Sequence, residues 1–110
     1  MSRPLREPSY FVLAALIDGP LHGYAILNRV GELSEGRVRP STGTLYGALE
    51  RLTAEGLLAP GEEQIVEGRT RRAYSLTDAG LAAVTAEAQR LQSAARVVTT
   101  RTGAARVLPA

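Results

Sequence analysis

A chain of 110 residues with 45% apolar and 22% charged residues supports one small domain around a single core and leaves no room for a multidomain enzyme. The lack of Cys removes disulfides and thiolate chemistry. No run approaches the ~20 apolar residues of a membrane span or the apolar heart of a signal peptide, so a cytoplasmic protein without membrane contact is expected. All 13 basic residues are Arg, yet the net charge is only +2 and nine Arg meet nine acids across residues 1–76, so any affinity for nucleic acid must rest on local clusters.

Residues 9–17, Ser-Tyr-Phe-Val-Leu-Ala-Ala-Leu-Ile, lie between Pro8 and the breaker Asp18-Gly19-Pro20 and read as a helix that is apolar all round. Such a helix must be covered on every side, and a second subunit is the economical cover. A purely intramolecular core or a short buried strand is the alternative. Residues 21–30 predict a second helix, with Tyr24, Ile26, Leu27 and Val30 on one face, and residues 31–40 form its exit, which carries Arg37 and Arg39.

The stretch 41–58 carries the strongest signal. Ser41 after Pro40 is a natural N-cap, Gly56 a natural residue beyond the C-cap, and Leu45, Leu49 and Leu52 mark a buried stripe. Ser41, Thr42, Thr44, Tyr46, Gly47, Glu50 and Arg51 are left on or near the other side. A face of hydroxyls, one aromatic and one Arg can enter a DNA groove, although any surface helix needs a polar side. Two short helices joined by a turn make a helix-turn-helix candidate.

Residues 57–66 and 71–76 flank Glu67-Gly68-Arg69 and predict a β-hairpin in which Arg72, Tyr74 and Leu76 share one side. Pro60 fits only an edge strand or an irregular entry. The tip is expected to present Arg69, Arg71 and Arg72 together, either to DNA or simply to solvent. Thr77-Asp78 then caps a long helix to about Val98, in which Leu81, Val84, Ala88, Leu91, Ala95 and Val98 follow the 3,4 alternation of a dimerisation seam; packing back on the same domain is the alternative. Residues 99–110 have no period and are expected to fray.

Little supports catalysis. His22 is the only His, and Glu62, Glu63 and Glu67 fall on an exposed hairpin, so no nucleophile, base and orienter assemble. No phosphate-cradling Gly loop is present, and no cofactor or metal is expected. The predicted architecture is mainly α with a small β-hairpin. It comprises a winged helix-turn-helix DNA-binding domain over residues 1–76, a C-terminal dimerisation helix over 77–98 and a tail over 99–110.

The segments Pro20-Leu-His-Gly-Tyr24, Gly43-Thr-Leu-Tyr46, Leu49-Glu-Arg-Leu52, Glu55-Gly-Leu57, Gly68-Arg-Thr-Arg-Arg-Ala-Tyr74 and Leu76-Thr-Asp-Ala-Gly80 closely resemble the PadR family of bacterial transcriptional regulators, in its smaller subclass with one C-terminal helix. The resemblance covers about residues 5–98. It implies a homodimer on a roughly palindromic operator of double-stranded DNA, usually as a repressor, with some members released by a small hydrophobic or aromatic effector. It places the helix from Ser41 in the major groove, with Thr42, Gly43, Thr44 and Tyr46 facing DNA and Arg69, Arg71 and Arg72 on the wing. Arg39, Ser41 and Arg51 join the expected DNA contacts. Phe11, Leu81, Val84, Ala88, Leu91, Ala95 and Val98 are expected at the dimer interface, and Phe11, Ala15 and Leu91 around an effector. A winged-helix protein-interaction module without specific DNA binding is the alternative.

Overall fold

In the computed structural model, which describes residues 4–103, the chain runs α1 (Glu7–Ala15), β1 (Leu21–His22), α2 (Gly23–Leu33), α3 (Thr42–Ala54), β2 (Leu58–Val66), β3 (Arg69–Leu76) and α4 (Asp78–Thr102). α1 begins two residues before the expected start because Pro8 is tolerated in the first helical turn, where no intrahelical partner is needed for its missing N–H. Val12, Leu13, Ala15 and Leu16 are buried in the domain's own core, with Phe11 half-buried and edge-on to Tyr10 at 5.3 Å between ring centroids. The chain therefore covers most of α1 by itself.

Leu21 and His22, expected to open the second helix, instead pair with Tyr74 and Ala73 of β3. The result is a three-stranded antiparallel sheet, β1-β3-β2, rather than a lone hairpin. α2 then buries Ile26 and Val30, while Tyr24, expected on the same face, is 74% exposed. Its position explains this: at 100° per residue Tyr24 lies well round the helix from both. Beyond α2, the Val38 N–H donates to the buried Ser34 hydroxyl at 3.0 Å, which shapes the connection to α3.

α3 is fixed at both ends. The Ser41 hydroxyl accepts the Thr44 N–H at 3.2 Å, and at the other end Gly56, at φ 78°, lets the Leu57 and Gly56 N–H groups reach back to the Leu52 and Thr53 carbonyls. Leu45, Ala48, Leu49 and Leu52 complete the core with Leu58, Tyr74 and Val84. β2 and β3 close through Glu67 and Gly68, both with positive φ, the two-residue turn whose twist matches a hairpin. An irregularity between Pro60 and Glu63 absorbs one extra residue, and Pro60 sits beside it on β2, an edge strand, the place where a proline is tolerated in a sheet.

Thr77 caps α4, accepting the Gly80 N–H at 2.9 Å and donating to the Gly56 carbonyl at 2.7 Å, so the end of α3 and the start of α4 are tied together. Val84, expected on the seam, lies in the core. Buried Glu87 accepts from Arg90 and from the Leu5 N–H, and the Arg90 contact holds its carboxyl below the usual carboxylate range. From Gln89 to Thr102 every residue is exposed. The helix continues past Val98 to Gly103, whose left-handed backbone caps it, so residues 99–102 are helical rather than frayed. Residues 104–110 of the expected tail lie outside the described residues.

Candidate nucleic-acid interface

The helical period sorts the outer residues of α3 into three stripes. Opposite the core stripe lie Gly43, Gly47, Glu50 and Ala54; Thr44 and Arg51 flank them on one side, Thr42, Tyr46 and Thr53 on the other. A side chain placed at Gly43 or Gly47 would meet no atom within 4 Å, so the backbone is bare along the centre of the displayed face. The first turn holds no acidic residue, which leaves the positive end of the helix dipole uncompensated toward solvent.

The expected contacts divide on inspection. Ser41, Thr42, Gly43 and Thr44 are all exposed at the start of α3, though the Thr44 hydroxyl also accepts from Ser41 at 2.9 Å. Tyr46 is 44% exposed, and its ring end lies against Gly23, where any Cβ would collide with it. Tyr46 therefore joins α3 to the start of α2, and only part of its ring is free to touch a ligand. Arg51, exposed, reaches across to α1: its guanidinium donates to the buried Ser9 hydroxyl at 2.8 Å and bridges α3 to α1. Arg39, exposed in the α2–α3 connection, lays its guanidinium beside Gly36.

The three wing arginines do not share one face. Strand alternation puts Arg69 and Arg71 on one face, both exposed, and Arg72 on the other with Tyr74 and Leu76. Arg72 pairs with Glu63 across the hairpin at 2.9 Å, and its Nε is buried without a partner. Burial pushes the Tyr74 hydroxyl up, against the opposing pull of Arg72. The wing's freely offered charge is thus Arg69 and Arg71. Tyr24, exposed in the first turn of α2, is a polar-tipped aromatic that residue spacing places on one face with Ile26, Leu27 and Val30.

On α4, Leu81, Leu91, Val97 and Val98 are each more than 40% exposed, Ala95 is exposed and Ala88 half-buried. An open cleft of about 250 Å³ lies between the end of α1 and the start of α4, lined by Leu16, Ile17, Pro20, Leu76 and Leu81 among others. None of Phe11, Ala15 and Leu91 lines it, and Ala15 is closed off in the core. Among the described residues no group of His, Asp or Glu could hold a metal ion, and no helix is long and apolar enough to cross a membrane.

Residues 12–86 match the model of the transcriptional regulator PadR-like family. The chain is 42% identical over 87 residues to the transcriptional regulator Rv3488 of Mycobacterium tuberculosis, covering 79% of this chain and 78% of that protein. Its fold is shared with a PadR family transcription regulator of Clostridium difficile, at TM-score 0.74 and 21% identity over 88% of this chain and 99% of that one. PadR of Bacillus subtilis, in complex with operator DNA, is similar at TM-score 0.64 and 27% identity over 73% of this chain and 45% of that protein.

Proposed function

The chain belongs to the transcriptional regulator PadR-like family, and from that premise we propose that it is a homodimeric repressor that reads a palindromic operator through α3 and the β2–β3 wing. The observation that carries this reading is the outward face of α3: capped at its start, bare at Gly43 and Gly47, and free of acids in its first turn. The B. subtilis relative's operator complex supports DNA as the ligand. In this reading Ser41, Thr42, Gly43 and Thr44 approach the phosphates and base edges, and each good base contact adds about 1–3 kcal/mol of discrimination. Arg69 and Arg71 meet phosphates, releasing counterions and making affinity fall with salt.

The exposed half of α4 supplies the dimer contact through Leu91, Ala95 and Val98, with Leu81 nearer the body. Dimer geometry then sets the spacing of two α3 helices at about one DNA turn, ~34 Å. A small apolar effector in the cleft beside Leu16, Ile17, Leu76 and Leu81 would release the operator by favouring a different tilt of α4, provided it binds that arrangement better. Joint replacement Arg69→Ala and Arg71→Ala should weaken operator binding and flatten its salt dependence by about one unit of slope per lost phosphate contact. An unchanged affinity and slope would remove the wing from the interface. Capture of a protein partner, with no DNA selected, would favour the interaction-module reading.

A further inference from the structure

Along the centre of the α3 outer stripe, Gly43, Gly47 and Ala54 project almost nothing, and Glu50 alone carries a long, charged side chain. It is exposed, and no ion pair among the described residues uses it. The bare positions along that line let the backbone come close to a groove floor, and Glu50 is the one long side chain the line carries toward it. A carboxylate there only accepts hydrogen bonds. In the major groove the guanine edge and thymine O4 also only accept, and adenine sets an N7 acceptor beside its N6 donor, whereas cytosine offers the N4 donor without an adjacent acceptor.

Resting on the assignment of α3 to the major groove, we propose that Glu50 reads one cytosine in each half-site by accepting a hydrogen bond from its N4 amine. The same charge rejects guanine and thymine, which set only acceptors before it, and disfavours adenine, whose N7 acceptor stands beside its N6 donor, so this residue gives specificity by exclusion as well as by attraction. It also lowers affinity for DNA at large, since phosphates repel it.

The test is selection of bound duplexes from a random pool by the full chain, by Glu50→Ala and by Glu50→Gln. Both replacements are good helix formers at an exposed site, and far-UV circular dichroism checks that the fold is kept. The unaltered chain should require cytosine at one symmetry-related pair of positions, by about ten- to a hundredfold. Glu50→Ala should erase that preference alone and bind random duplex more tightly, and Glu50→Gln should move it toward adenine, whose N6 and N7 match an amide. A motif shared unchanged by all three proteins overturns the proposal while leaving α3 as the reader. An unaltered chain that enriches no motif overturns the assignment of α3 to DNA, and this proposal with it.

Discussion

α3 buries Leu45, Ala48, Leu49 and Leu52 in its own domain and is capped at both ends, whereas α4 from Gln89 to Thr102 buries nothing and still runs as continuous helix. The first is held by tertiary contacts that one copy supplies. The second is about 21 Å of helix at 1.5 Å per residue, a length that is marginal in water without packing. Leu91, Ala95 and Val98 therefore gain most if a second copy covers them, since each fully buried Leu or Val is worth about 1.5–3 kcal/mol. The contrast separates what makes the domain fold from what would join two copies.

Four substitutions probe this contrast, from the largest expected effect to the smallest. Leu49→Ala, at a fully buried site of α3, should cost about 2–5 kcal/mol in urea unfolding at any protein concentration. Leu91→Arg should leave the stability of the single copy within about 0.5 kcal/mol, as surface changes usually do, while sedimentation shows monomers. An intact dimer would exclude this face of α4 from the interface. Ser41→Ala removes the N-cap of α3 and should cost about 1 kcal/mol, read as a drop in melting temperature.

Glu87 sits where α4 passes from buried to exposed, and its test is by pH. Because its folded pKa is lowered, mainly by Arg90, its stabilising contribution is complete above the ordinary carboxylate pKa and is lost as pH falls through the lower folded value. Glu87→Gln should therefore make the acid limb of a stability profile shallower and leave its alkaline side unchanged.

The elements set by local chemistry were legible in the sequence. Ser41, Gly56, Thr77 and the Glu67-Gly68 turn act through neighbours a few residues away, and all mark the boundaries expected of them. Features set by distant partners were hidden. Leu21 and His22 become a strand only because β3, some fifty residues later, lies beside them. The alternation 81, 84, 88, 91 marks an apolar face but cannot say who covers it: Val84 is taken by the domain's own core, and Leu91 is left outside. Arg51 and Arg72 read as free cations in a sequence, and only the fold supplies Ser9 and Glu63. Glu50 was visible on the outer face, but the open space along its line emerged with the geometry around Gly43 and Gly47.

The central claim is that two copies, joined through α4, present two α3 helices to one operator. Sedimentation of the complex on a DNA site recovered by selection, combined with footprinting, tests it most directly. Two chains per duplex and protected half-sites about 10–10.5 base pairs apart are the predicted result. One chain bound to a single asymmetric site would contradict it.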